Sequence, residues 1–171
     1  MKIKHFILLF LFSLIALYSY SQRVKNNSVS REVIIELPDS LIKCRVLNYK
    51  PDIDIEDNLV YYWYYSGKIH KNSGHYAGYL LHDNYIVLDS EKNMLTKGTF
   101  FKGTKHGIWK TWYPKGGLKS SKEWKKGLPH GKWTFYDATG NLIKQEYYKE
   151  GKKTTAEENS NEGIFRRFFK D

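Results

Sequence analysis

The sequence predicts an all-β protein, an elongated single antiparallel meander sheet of β-hairpin repeats with a period of 24 residues. One observation behind this prediction is that aromatic, His and Gly positions recur at that fixed step. Another is that aromatic and β-branched stretches alternate with Gly-rich turns. The chain also holds 5 Trp, 14 Tyr and 9 Phe, and rings that bury ~150 to 250 Å² each are expected to form its core.

The repeat is clearest in two neighbouring units, which match at a Gly, a His-Gly pair, two aromatic residues, a turn Gly and a Leu. Its step is already visible in Gly103, Gly127 and Gly151. The residues that define the repeat are Gly103, His106, Gly107, Trp109, Trp112, Gly116, Leu118, Trp124, Gly127, His130, Gly131, Trp133, Tyr136, Gly140, Leu142, Tyr148 and Gly151. Their spacing predicts structural roles in strands and turns.

Four units follow from this step: residues 58–79, 80–103, 104–127 and 128–151. Each is expected to be a hairpin, with turn chemistry such as Pro114 and Gly116 between its strands. The earlier units are less regular, because Asp83 replaces the expected Gly and the first turn is displaced. Residues 152–171 read as a polar insert and a half repeat that caps the array.

The spacing of Trp109 and Trp112 raises a question about the faces of the sheet. A separation of three residues directs two side chains to opposite faces of a regular strand. Either a bulge lies between them or both faces are partly covered.

Residues 1–21 have the layout of a secretory signal peptide. Lys2 and Lys4 precede an uncharged run that begins at Phe6, and small residues precede the expected cleavage after Ser21. A retained N-terminal anchor is the alternative, although the run is shorter than the ~20 residues of a spanning helix. Residues 22–57 are expected to be a linker and a capping β-hairpin, with strands at 32–37 and 41–47 that pair with the first repeat.

The Gly-x-x-His-Gly-x-Trp pattern at Gly103 and Gly127 resembles the MORN repeat, and more closely the bacterial MORN-variant proteins labelled YwqK-type and antitoxin-like. The resemblance covers about residues 58–151. It implies a twisted antiparallel sheet that serves as an interaction surface for proteins or membrane phospholipids. It brings no catalytic residues.

No catalytic, cofactor or metal motif emerges, so the chain is expected not to be an enzyme. His82, His106 and His130 would lie ~10 Å apart along the sheet, too far to share a zinc ion. The acidic residues at 52–57 lack the spacing and turn Gly of a calcium loop. Cys44, the lone cysteine, is interpreted as a small buried hydrophobe.

Positive charge is the main functional signal. The chain carries a formal net charge of +10, and residues 97–153 hold 14 Lys against 4 acidic residues. The candidate binding edge consists of lysines near the bends: Lys115, Lys125, Lys126, Lys149, Lys152 and Lys153. Such an edge would attract an acidic protein, an anionic lipid or a polysaccharide. The alternative is that these lysines only keep an open sheet soluble and its edges unpaired.

The resulting hypothesis is an exported, non-catalytic repeat protein, periplasmic or secreted, that acts as a protein-binding scaffold at the cell envelope. One alternative is an antitoxin or immunity protein that neutralises a specific toxin. Another is binding of anionic lipid or glycan through the Lys-rich edge. Nucleic acid is disfavoured as a partner, because the rings are needed in the core and export removes the chain from it. Pairing of two copies into a homodimer through exposed aromatic ends stays open.

Overall fold

The structure, a computed structural model, describes residues 29–155. Over this range the predicted all-β antiparallel architecture is confirmed. None of these residues forms a helix long and apolar enough to cross a membrane. The eleven strands of the described part are β1 (Ser30–Leu37), β2 (Ser40–Leu47), β3 (Val60–Tyr65), β4 (Lys68–Ser73), β5 (Tyr79–Asp89), β6 (Met94–Phe101), β7 (Thr104–Trp112), β8 (Leu118–Lys125), β9 (Leu128–Tyr136), β10 (Leu142–Lys149) and β11 (Lys152–Thr154). The predicted signal peptide at residues 1–21, residues 22–28 and the predicted half repeat after residue 155 lie outside the described residues.

The main sheet runs in the order β1-β2-β5-β6-β7-β8-β9-β10-β11, and every neighbouring pair is antiparallel. From β5 onward each strand pairs with the next one in the chain. This part of the molecule is therefore the expected meander of hairpins.

The N-terminal hairpin differs from its expected pairing. Strands β1 and β2 form, but β2 pairs with β5, from Ser40 opposite Asp89 to Val46 opposite Leu81, and not with the first unit. The first unit instead forms the β3–β4 hairpin, which leaves the main path and pairs with β5 at only two positions. This arrangement lets the hairpin cover an aromatic sheet face that a lone sheet would leave in water.

Both faces of β3 are covered, and each contacts a different apolar cluster. One cluster contains Phe100 and Trp109 of the main sheet, and Tyr62 and Tyr64 pack against it. The other contains Tyr61 and Trp63 themselves together with Leu47 of β2, Leu59, and Leu80 at the start of β5. The hairpin is therefore held as a lid of fixed position over the sheet. We call the sheet face beneath it, which carries Phe100 and Trp109, the front face.

The repeat-defining turns are conserved in geometry as well as in sequence. Gly103, Gly127 and Gly151 have φ values of 83°, 84° and 86°, and the non-glycine residue before each also has positive φ. Two successive positive φ values are typical of the type I′ turns that join antiparallel strands. Each glycine N–H also donates to a carbonyl 22 residues earlier, at N···O distances of 2.7, 2.8 and 2.9 Å. The turns thus tie successive units together.

Asp83 keeps the backbone geometry of the glycine it replaces. Its φ is 62°, against 65° at Gly107 and 58° at Gly131. Asp tolerates this left-handed region better than most side chains. Its carboxylate also accepts a 2.7 Å hydrogen bond from the Ser30 hydroxyl and lies 3.7 Å from Arg45 Nε. The second unit therefore has the same fold as the later ones in spite of the substitution.

The two tryptophans of β7 lie on opposite faces. Strand β7 pairs with β8 without interruption from Gly107 to Thr111, and the register shift that follows adds Lys119 to β8. Alternation along β7 directs Trp109 to the front face, where it is buried, and Trp112 to the back face, where it is half-buried. Partial coverage of both faces is thus the correct alternative for this pair.

A lysine-bearing cleft as the candidate functional site

A cleft of about 400 Å³ lies between the β3–β4 hairpin and the front face of strands β5 to β8. Tyr62 and Ile69 contribute from the hairpin, and Tyr85, Phe100 and Trp109 contribute from the sheet. Aromatic contacts hold these walls in place, with ring centroids 4.9 Å apart for Tyr62 and Phe100. The cleft is the space that remains because the hairpin leaves the sheet plane.

Trp109 is fixed in this wall by a glycine and a hydrogen bond. Its indole lies over Gly98, where a Cβ atom would overlap the ring. Its Nε1 donates to the carbonyl of Thr99 at 3.0 Å. Phe100 contacts it edge-on at a centroid distance of 4.8 Å. The ring is therefore immobilised from several sides and gives the cleft a rigid floor.

Lys105 extends over this floor from the same strand. Its Nζ lies 4.5 Å from the ring centroid of Trp109, 4.9 Å from that of Trp124 and 5.8 Å from that of Tyr62. Burial, followed by repulsion from Lys122 and Lys71, lowers the pKa of Lys105 to about 8. The electron-rich ring faces partly compensate this buried charge.

Lys122 places a second ammonium group in the cleft, one strand further along the sheet. Its Nζ lies 4.8 Å from the ring centroid of Trp133 and 5.0 Å from that of Phe135. Burial also lowers the pKa of Lys122, against the opposing attraction of Glu146. The lining includes Lys71 as well, but no Asp or Glu. The described cleft is therefore aromatic, positive and without an internal carboxylate.

The recurring aromatic residues continue the front face beyond the cleft. Ring centroids are 5.0 Å apart for Trp124 and Trp133 and 4.5 Å apart for Trp133 and Tyr148. Trp133 Nε1 donates to the carbonyl of Glu123 at 2.8 Å, the same contact that Trp109 makes one unit earlier. These rings form a row along the sheet and extend the aromatic surface of the cleft.

The recurring histidines lie near the starts of β5, β7 and β9, and two of them bond to the backbone of a turn. The Nδ1 atoms of His82 and His106 lie 3.2 and 3.4 Å from the backbone nitrogens of Lys102 and Lys126, which donate to them. Within residues 29–155, no three His, Cys, Asp or Glu side chains come together as a metal site would need. Cys44 is buried, and burial raises the pKa of its thiol to about 11.

The structure divides the predicted lysine edge. Lys125 and Lys126 flank the β8–β9 turn, and the lysines at 149, 152 and 153 flank the β10–β11 turn, at the same end of their strands. Lys115 lies in the β7–β8 turn, at the opposite end. Lys153 also contacts Glu146 Oε1 at 3.1 Å. Five of the six lysines therefore share one long edge of the sheet.

Lys105 and Lys122 were not selected from the sequence as candidate binding residues, because that selection relied on positions that recur between the repeats. In the neighbouring units Pro129 corresponds to Lys105 and Gly98 corresponds to Lys122, so neither lysine recurs. A usable signal was the alternation along the strands, which puts Lys105 on the same face as Trp109. Nothing in the sequence indicated that the β3–β4 hairpin encloses that face.

Comparison with known proteins gives one family match. The family described as "MORN repeat variant" matches residues 105–126 and 129–150. No curated protein and no solved structure matches the chain. The matched segments coincide with the β7–β8 and β9–β10 hairpins. These two hairpins are therefore similar in sequence to MORN-variant repeats.

Proposed function

We propose that this protein is a non-catalytic binding protein that holds a segment of a partner protein in the front-face cleft. The observation that carries the proposal is the convergence of Lys71, Lys105 and Lys122 on an aromatic cleft whose lining contains no carboxylate. Partly buried ammonium groups that repel one another are unfavourable unless an anion joins them. An acidic partner would remove that cost, and the rigid rings would supply apolar contact area.

We place this interaction outside the cytoplasm, at the cell envelope, in the periplasm or after secretion. Support comes from the signal-like layout of residues 1–21, where two lysines precede an uncharged run. The partner's identity decides between a scaffold and the antitoxin or immunity role of the YwqK-type resemblance. A toxin as the partner would favour the second.

The test is cross-linking in the native host with a C-terminally tagged copy, followed by purification and mass spectrometry. The cleft variant is the double substitution Lys105→Gln and Lys122→Gln. Its matched control is Lys97→Gln and Lys110→Gln, two exposed lysines that line a shallow depression on the back face. One stoichiometric protein is expected with the wild type and the control but not with the cleft variant. Recovery of only the chain itself would contradict the proposal.

Lipid or glycan binding through the Lys-rich edge is the second candidate, and the five lysines gathered at one end of the strands favour it. It predicts affinity that falls steeply with salt, since exposed charges are screened over ~10 Å at 0.1 M. Substituting Lys125 and Lys126 would then weaken binding more than substituting the cleft lysines does. The opposite order would support the cleft.

A further inference from the structure

We infer that the cleft recognises an acidic peptide segment in which a carboxylate side chain lies two residues from an aromatic or branched apolar side chain. This inference rests on the proposed function and names the chemistry of the bound segment. Lys105 and Lys122 would contact the carboxylate. Tyr62, Tyr85 and Trp109 would contact the apolar neighbour.

The charge argument begins with Glu146, the acidic residue that attracts Lys122. Its Oε1 is already 3.3 Å from Lys144 Nζ and 3.1 Å from Lys153 Nζ. Its Oε2 accepts a 3.1 Å hydrogen bond from the Tyr148 hydroxyl. Glu146 is thus engaged by three other groups, and the positive charge inside the cleft is left for an external anion.

Size favours an extended peptide segment. The cleft volume of about 400 Å³ lies near the lower end of the ~300 to 1,000 Å³ found for ligand pockets. Such a space admits one or two side chains but not a folded element. The rest of an extended segment would lie along the exposed rim at Lys71. Because side chains two residues apart point to the same side of an extended chain, a carboxylate and an apolar group at such positions would both face the cleft.

The cleft also provides polar groups for the segment. Thr111 Oγ1 and Ser120 Oγ lie 2.8 Å apart on its floor and are hydrogen bonded to each other. The bond between the two hydroxyls uses only one of their hydrogens, so the other hydroxyl hydrogen and the free oxygen lone pairs can still bond to a ligand. A bound carboxylate would also favour the charged form of Lys105, whose pKa of about 8 would then rise. Binding is therefore expected to take up protons near pH 8.

The test uses the full chain and a blocked heptapeptide with glutamate, phenylalanine, glutamate and phenylalanine at every second position, so that all four side chains can lie on one side of the extended segment. The control peptide carries glutamine in place of each glutamate. Binding is followed by NMR through the indole N–H signals of Trp109 and Trp133, which are hydrogen bonded to backbone carbonyls in the structure. We expect the glutamate peptide to bind at least ~10-fold more tightly and its affinity to fall as the pH rises from about 7 to 9.

Matched variants locate the contact. Lys105→Met is expected to lower affinity at least ~10-fold, while Lys105→Arg retains most of it because the positive charge remains. Lys110→Met, on the back face, should leave affinity unchanged. Equal affinity for the two peptides would overturn the inference. Unchanged binding by a folded Lys105→Met variant would overturn it as well.

Failure of this inference can be separated from failure of the proposed function. If the peptides bind equally or not at all, but in-cell cross-linking still returns a partner that the cleft variant loses, only the ligand class is wrong. If anionic phospholipid vesicles bind through Lys105 and the peptide does not, the peptide is wrong and the cleft is a lipid site. If cross-linking also returns no partner, both proposals fail.

Discussion

Replacing Gly98 by Ala is expected to destabilise the protein by about 3 kcal/mol, because the added methyl group would occupy the space of the Trp109 indole. Trp109 cannot simply move aside. Phe100 holds its ring edge-on with the centroids 4.8 Å apart, and the tilted ring of Tyr85 contacts it with the centroids 5.6 Å apart. The substitution therefore tests whether the tryptophan lies flat on the neighbouring backbone.

The magnitude follows from two losses. Overpacking a rigid core costs typically ~1 to 3 kcal/mol. Displacing the indole also strains or breaks the 3.0 Å bond from Trp109 Nε1 to the Thr99 carbonyl, worth ~0.5 to 1.5 kcal/mol. The next unit differs: Lys122 occupies the position equivalent to Gly98, and its Nζ lies 4.8 Å from the ring centroid of Trp133, whereas the Trp109 ring lies directly on the Gly98 backbone.

Urea unfolding followed by tryptophan fluorescence measures this prediction. The control is Gly107→Ala, where φ is 65° but a Cβ meets nothing within 4 Å, so only ~1 to 2 kcal/mol of backbone strain is expected. Near-UV circular dichroism of Gly98→Ala should also change, because the environment of Trp109 changes. A loss below about 0.5 kcal/mol for Gly98→Ala would refute the packing described here.

Three further predictions concern single side chains. The pKa of Lys105 falls from its ordinary 10.5 to about 8, so the cost of its charge is fully present below pH 8 and disappears as the pH rises towards 10.5. That drop in pKa corresponds to ~3 kcal/mol of unfolding free energy, which partial exposure and the cation–π contacts reduce to about 1 kcal/mol. Lys105→Met should therefore raise the free energy of unfolding by about 1 kcal/mol at pH 7. A less stable variant would contradict this. Asp83→Ala should lower the free energy of unfolding in urea by ~2 kcal/mol, because it strains the left-handed backbone and removes the hydrogen bond from Ser30. Asp83→Asn should lower it by less than ~1 kcal/mol. Equal losses would show that the left-handed backbone and the Ser30 bond do not explain the role of Asp83. Hydrogen bonds from Thr139 lower the pKa of Asp137 to about 2, so its stabilisation is present above 3.8 and lost as the pH falls through 2; Asp137→Asn should lack this acid dependence in thermal melts, and identical pH profiles would argue against it.

The turns could be predicted from the sequence because the positive φ angles that they require depend only on the residues at the turn itself. Gly103 and Gly127 occupy positive φ, which few other residues adopt at low cost, and their fixed spacing predicts where the strands end. Asp83 adopts the same conformation without being a glycine, so a rule based on glycine alone underestimated the regularity of the second unit. Local backbone chemistry thus accounts for the meander from β5 onward.

The cleft could not be predicted from the sequence because it depends on which strands pair with each other when they lie far apart in the chain. Strand β2 pairs with β5 in place of β3, and this displaces the β3–β4 hairpin onto the front face. That choice is decided by burial of Val46 and Leu81, which are fully buried and paired with each other. Without the hairpin, Lys105 is one surface lysine among many in a basic chain.

Site-specific photo-cross-linking in the native host tests the central claim most directly. A photoreactive phenylalanine analogue replaces Val87, which lines the cleft, and in a separate copy it replaces Ile108, which is 60% exposed on the back face. A front-face binding site predicts one discrete cross-linked partner protein from position 87 and none from position 108. Cross-links to a partner from position 108 alone would contradict it and move the binding surface to the back of the sheet.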